Sequence, residues 1–294
     1  MLILSSTFPV AKIIGGAAMI VCAVWGAEGS GKTTFALTFP QPIFHLDLDV
    51  GGFARAIWRL DSAKITSKSY PTPIQMEKLM GAKKIGATVR FPRQVIGFKE
   101  VWQQIVVDFV AACQDKEINT IVVDSATQLW NIAHTSFLQE KQEIQMAKGI
   151  TPEDDRFREQ LQPVEFPNDR IRSIIYTARS CGKNLVLTHY PRNIYRERAT
   201  NRGIEKYKTD EIEPDGFRDT RKLVDVVFWV WADNARPALG TQPATPVMPL
   251  VMPRAKITDK CGLEGMGMSA VGLELPEASY QGLLKLREFM QGGE

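Results

Sequence analysis

Residues Gly26–Thr33 read GAEGSGKT, a complete GxxxxGK[ST] pattern, set between a continuous apolar run and a stretch of helix-forming sequence. The run is Met19–Trp25 (MIVCAVW), apolar at every position as expected of a strand buried on both faces of a mostly parallel sheet. The residue types in the loop have a common physical purpose. Glycines at 26, 29 and 31 let backbone N–H groups turn inward around an anion. The helix that follows directs its positive end at the same point. Lys32 adds a charge at the height of the β- and γ-phosphates, and the Thr33 hydroxyl is suited to ligate Mg²⁺. Gly26, Ala27, Glu28, Gly29, Ser30, Gly31, Lys32, Thr33 and Thr34 are therefore expected to cradle a nucleoside triphosphate, ATP with Mg²⁺. The competing reading is a chance glycine turn, and the strand–loop–helix context speaks against it.

Further strands end in polar residues. Ile43–Leu48 is closed by Asp49 and the pair Gly51-Gly52, Thr120–Val123 by Asp124-Ser125, and Asn184–Thr188 by His189. Val224–Trp231 and a short segment around Ala255–Thr258 complete the set. Helices are expected from Lys32 to about Phe39, stopped by Pro40 and Pro42, and over 98–113, where Phe98, Val101, Trp102, Ile105, Phe109 and Cys113 recur at helical spacing. Others are expected over 126–147, 169–181 and 276–291. Residues 61–99 read as irregular and basic, with eight Lys/Arg against Asp61 and Glu77, and 190–222 as a long polar loop or hairpin. Alternating strands and helices predict an α/β fold with a mostly parallel central sheet flanked by helices. The expected organisation is a leader (1–17), a core (18–260) and a C-terminal tail with a helix (261–294).

Composition removes some alternatives. The four cysteines are scattered and form no CxxC pair, which speaks against a zinc site and suits a reducing cytoplasm. No apolar run reaches the ~20 residues a membrane helix needs. The net charge of +3 says little about partners.

Several polar strand ends are candidates for chemistry. Asp124 either holds Mg²⁺, directly or through water, or caps the next helix. Asp47 and Asp49 either polarise the attacking water or serve the turn ahead of Gly51-Gly52. His189 either senses the γ-phosphate or is an ordinary polar strand end.

Together, GAEGSGKTT (26–34), IFHLDLDVGG (43–52), TIVVDSATQLW (120–130) and NLVLTHYPR (184–192) resemble the RecA-like P-loop ATPases. They look most like the compact phage-encoded members used in single-strand annealing and recombination. The resemblance spans roughly residues 18–260. It implies an Mg²⁺-dependent ATPase located in a cytoplasm, the host's if phage-encoded, with Lys32, Asp49, Asp124 and His189 at the reacting end. Asp49 stands where the family more usually has Glu, as the water-activating carboxylate. It also implies self-association into a ring or filament, with Lys256 and Lys260 loosely matching basic residues that complete a neighbour's site.

Residues 191–208 carry six Lys/Arg and two Glu, interleaved with Tyr195 and Tyr207 and preceded by Tyr190. Positive charge tracks a phosphate backbone and aromatic faces stack on unpaired bases. In RecA-like proteins the loop after the sensor contacts DNA. Arg192, Arg196, Arg198, Arg202, Lys206 and Lys208 are thus expected to grip single-stranded DNA, with 61–99 as a second contact. The bland alternative is a solvated loop balanced by Asp210, Glu211, Glu213 and Asp215. Two other classes stand beside a recombination ATPase: a motor or loader acting through protein partners, and a small-molecule kinase. A packaging motor would bring a nuclease domain, for which the sequence has no room, and a kinase would need lid arginines that it does not identify.

Overall fold

A computed structural model of the chain describes residues 19–57, 60–75, 83–85, 88–90, 94–151, 165–200, 203–232 and 253–292. The chain enters through β1 (Val21–Trp25), every residue of which is buried, and the phosphate loop follows directly into α1 (Lys32–Ala36). Next come β2 (Ile43–Asp47), α2 (Gly52–Ala56), β3 (Ile65–Ser69) and a small antiparallel pair, β4 (Lys83–Ile85) and β5 (Thr88–Arg90). Three longer helices, α3 (Phe98–Gln114), α4 (Ala126–Ala147) and α5 (Glu165–Ser180), surround β6 (Thr120–Asp124) and precede β7 (Asn184–His189). A long hairpin of β8 (Pro191–Thr200) and β9 (Gly203–Pro214) follows, then α6 (Thr220–Leu223), β10 (Val226–Ala232), β11 (Pro253–Cys261), a 3₁₀ turn at Gly267–Ala270 and α7 (Tyr280–Met290).

Seven strands form one sheet in the order β11-β10-β1-β7-β6-β2-β3. All neighbours run parallel except β10 and β11. This is the mostly parallel, helix-flanked α/β sheet that the order of motifs predicts. Because successive side chains point to opposite faces, an all-apolar strand feeds two cores at once. Val21, Ala23, Ile121, Val123, Leu185 and Leu187 face α3, α4 and α5, packing with Ile105, Phe109, Leu129 and Ile175. Cys22, Val24, Val122, Val186 and Phe228 face the other way, against Phe35, Phe39 and Leu283. The parallel arrangement brings the carboxyl ends of β1, β7, β6 and β2 to a single rim, where open α/β sheets place their ligands.

Local chemistry fixes the ends. Ser125 caps α4, its hydroxyl accepting from the Gln128 N–H at 3.3 Å, and Ser279 caps α7 by accepting from the Gly282 N–H at 3.0 Å. Three features differ from the expectation. The segment 61–99 contributes a strand to the sheet, because Ile65–Ser69 joins its edge. An edge strand buries little, so ITSKS lacks the apolar run that marks an interior strand. The helix expected from 169 begins at Glu165, with Pro167 in the first turn where its missing N–H costs nothing. The strand expected from Val224 starts at Val226, whereas the polar stretch 190–222 is largely a two-stranded hairpin, one of the two forms expected of it. The leader and most of the Pro-rich stretch 237–253 lie outside the described residues. Among those described, no helix is long and apolar enough to cross a membrane.

Candidate functional site

The phosphate loop is shaped by glycines that nothing else replaces. Gly29 and Gly31 have φ of 72° and 93°, in the left-handed region that favours glycine. A side-chain carbon on Gly26 would lie 2.1 Å from the Val230 carbonyl oxygen, so the backbone of β10 approaches too closely for any other residue. Lys32 is 7% exposed and donates to the carbonyls of Gly26 at 2.9 Å and Ala27 at 2.8 Å. Burial lowers its pKa, against the opposing pull of Asp124, Asp49 and Glu28.

Asp124, at the tip of β6, is almost fully buried and held from three sides. The Thr33 hydroxyl donates to its Oδ2 at 2.6 Å, and the Thr188 hydroxyl to its Oδ1 at 2.5 Å. The ring Nε2 of His45, itself fully buried, stands 3.6 Å from Oδ2, too far for a hydrogen bond. Burial raises the Asp124 pKa, but the His45 ring and the two hydroxyls outweigh it and leave the carboxyl below its ordinary value. The link from Thr33 to Asp124 joins the two residues expected at Mg²⁺.

Asp47 and Asp49 share a strand end but not a role. Asp47 pairs in register with Asp124 across β2 and β6. Its Oδ2 accepts from the Gly51 N–H at 3.1 Å and the Ser69 hydroxyl at 3.3 Å, which anchors the turn, while its Oδ1 is buried without a hydrogen-bond partner. Gly52 lies just beyond: a side-chain carbon there would be 3.3 Å from Asp124 Oδ2, and 3.8 Å from both Asp47 Oδ1 and Thr33 Oγ1. Asp49 lines the cleft beside Lys32. Its Oδ1 accepts from the Ser125 hydroxyl at 3.2 Å and its Oδ2 from the Tyr190 hydroxyl at 2.6 Å. Burial pushes the Asp49 pKa up, opposed by the Tyr190 hydrogen bond and assisted by the charge of Asp124.

The structure thus gathers Lys32, Thr33, Asp49 and Asp124 around one cleft, with Glu28, Gly29, Ser30, Gly31 and Thr34 along its wall. His189 is placed differently. Its Nδ1–H donates to the Asp215 carbonyl at 2.8 Å, its Nε2 is buried without a partner, and it does not line the cleft. Tyr190 lines it instead, its ring centroid 4.6 Å from the Lys32 ammonium. Sequence reasoning passed over Thr188, the place of Tyr190 in the cleft, and His45; Tyr190 was expected only beside the DNA loop, and Ser125 only as an orienting neighbour of Asp124. One signal was available for the first two: side chains alternate along an extended segment, so 188 and 190 share the side opposite to 189.

Tyr190 is also the root of the hairpin. Its N–H donates to the Thr127 hydroxyl at 3.1 Å, its carbonyl accepts from the Asp215 N–H at 2.7 Å, and Pro191 starts β8. On the hairpin, most of the expected DNA-binding cations meet acids of the opposite strand. Arg192 pairs with Glu213 and Asp215, Arg196 with Glu211, Arg198 with Glu205, and Lys206 with Glu197. Lys208 stands opposite Tyr195 and has no acidic partner among the described residues, and Arg202 lies outside them. Tyr195 and Tyr207 are exposed. Of the two lysines further on, Lys256 sits 6.0 Å from the Trp231 ring, and Lys260 donates to the Lys222 carbonyl at 2.9 Å.

Residues 18–228 match the family described as an AAA domain. No curated protein matches the chain in sequence. Among solved structures, a KaiC-like protein from the hyperthermophilic archaeon Pyrococcus horikoshii is similar over 82% of this chain and 79% of its own, with 10% identity and a TM-score of 0.39.

Proposed function

The chain belongs to the AAA domain family, and from that premise we propose that it is an Mg²⁺-dependent, RecA-like ATPase acting on single-stranded DNA. The observation that carries the reading is the convergence of Lys32, Thr33, Asp124 and Asp49 at one rim of the sheet. Phosphoryl transfer asks a protein for positioning and charge more than for covalent chemistry. The loop amides and Lys32 hold the phosphates, and Thr33 with Asp124 supplies oxygens for the cation. Mg²⁺ held there would supply positive charge to offset the charge that develops on the transferred phosphoryl group. Asp49, fixed by Ser125 and Tyr190, orients and deprotonates water. Its raised pKa keeps it a better base than a solvated carboxylate.

Single-stranded DNA is the favoured partner because the exposed Tyr195 and Tyr207 and the cations around them grow from Tyr190, which touches both Lys32 and Asp49. A second reading, a loader or motor acting through a protein partner, is supported by the hairpin's charge balance. Residues 191–214 hold six Lys/Arg against five Asp/Glu, and four of those cations are paired within or at the foot of the hairpin.

The test is ATP turnover with and without a single-stranded oligonucleotide. Stimulation by DNA, abolished by Lys32→Ala, supports the first reading. Turnover indifferent to DNA, with no oligonucleotide bound at low salt, favours the second. Near-normal turnover in Lys32→Ala would remove the nucleotide site itself.

A further inference from the structure

Asp47 is not explained by the turn it anchors. Its carboxylate is 2% exposed, and only one of its oxygens has hydrogen-bond donors. The other, Oδ1, is buried without a partner, a costly arrangement unless something binds there. That oxygen borders the same small gap as Asp124 Oδ2 and Thr33 Oγ1, and the gap exists because residue 52 is glycine: a carbon on Gly52 would lie within 3.8 Å of all three oxygens. Asp47 and Asp124 are register partners on adjacent strands, so two buried carboxylates face one gap. Like charges in a buried place repel unless a cation lies between or beside them.

We propose that Asp47 is a third oxygen donor of the cation site, binding a divalent cation directly or through one water together with Thr33 and Asp124. The inference rests on the nucleotide-site reading above and adds a residue to it. It also separates the two carboxylates of the LDLD segment: Asp49 faces the water and Asp47 faces the metal. Mg²⁺ is commonly held by one or two carboxylates plus phosphate oxygens. Consistent with that, no group of three or more His, Cys, Asp or Glu among the described residues could hold a metal ion unaided. The nucleotide completes the shell.

The experiment measures the affinity of a fluorescent ADP analogue in EDTA and in excess Mn²⁺, and takes the ratio as the metal's contribution. Asp47→Asn keeps the shape of the side chain and an oxygen for the turn. It is expected to leave the EDTA affinity unchanged and to cut the Mn²⁺ enhancement about tenfold. Asp47→Glu, which keeps the charge but displaces the oxygens, is expected to cut it as well and serves if the Asn variant folds poorly. Ser69→Ala removes one turn-anchoring hydrogen bond and is expected to preserve the full enhancement. An unchanged enhancement in Asp47→Asn would overturn the proposal and leave the nucleotide site standing. Equal losses in Ser69→Ala and Asp47→Asn would overturn it too, since Asp47 would then act through the turn. If the unmutated protein binds no nucleotide, the functional reading falls and this inference with it.

Discussion

His189 is a histidine kept neutral by its surroundings. It is fully buried, and burial lowers its pKa to about 4 against the opposing pull of the Asp215 carbonyl and charge. The unfolded chain takes up this proton near pH 6.5. Between pH 6.5 and 4 the unfolded state therefore binds more protons than the folded one, and stability falls as pH falls. The contribution is complete above pH 6.5 and amounts to about 3 kcal/mol at most. His189→Gln should flatten the pH dependence of the urea midpoint across that window. A profile identical to the unmutated protein's would assign the acid sensitivity to another group. Tyr190 has a different task, orienting Asp49 with its hydroxyl. Tyr190→Phe should leave ADP affinity within about twofold and slow single-turnover hydrolysis about tenfold, the scale of one hydrogen bond to a charged group. Loss of ADP binding without loss of turnover would show instead that the ring matters and the hydroxyl does not.

At the scale of elements, the hairpin is where charge and geometry compete. The ion pairs of Arg196, Arg198 and Lys206 are exposed, and such pairs hold their partners by ~1 kcal/mol or less, so a nucleic-acid phosphate can replace a glutamate at little cost. Replacing Arg196, Arg198 and Lys208 with alanine should weaken oligonucleotide binding irrespective of sequence. It should also flatten the log–log salt slope by about 2, at roughly 0.7 per lost phosphate contact. A fluorescence anisotropy titration at several salt concentrations measures this, and an unchanged slope would take the hairpin out of the DNA site. The elements were unequally legible in the sequence. β1, β6 and β7 announce themselves because a strand buried on both faces must be apolar throughout. β3 is silent because an edge strand is free to be polar. The loop was readable because glycine geometry and the lysine are dictated locally. The arrangement behind it was not, since Thr188, His45 and Ser125 reach Asp124 and Asp49 only through the parallel register of β2, β6 and β7.

At the scale of the whole molecule, the two cores are not equivalent with respect to the site. The core beneath α3, α4 and α5 supports the tips of β6 and β7, while the opposite core supports α1, the helix that carries Lys32 and Thr33. α7 belongs to that second core. Its Tyr280 ring lies 5.0 Å from that of Phe39, its first N–H donates to the Thr38 hydroxyl at 2.8 Å, and Leu283 is 1% exposed among Phe35-side residues. A helix that begins 242 residues beyond Thr38 thus presses on the turn that ends α1, and loosening it should be felt by the entire sheet. Leu283→Ala removes a buried side chain and is expected to cost about 2–5 kcal/mol. If α7 is integral to the fold, urea transitions followed by circular dichroism and by tryptophan fluorescence should shift together, because Trp25 and Trp229 report on the central strands, 4.4 Å apart ring to ring. Nucleotide at one hundred times its dissociation constant should restore about 2.7 kcal/mol of the loss, since ligand bound at α1 stabilises only the folded chain. A variant that loses helical signal early while its tryptophan transition stays in place would show the opposite: that α7 unfolds alone, and that the phosphate loop keeps its shape without it.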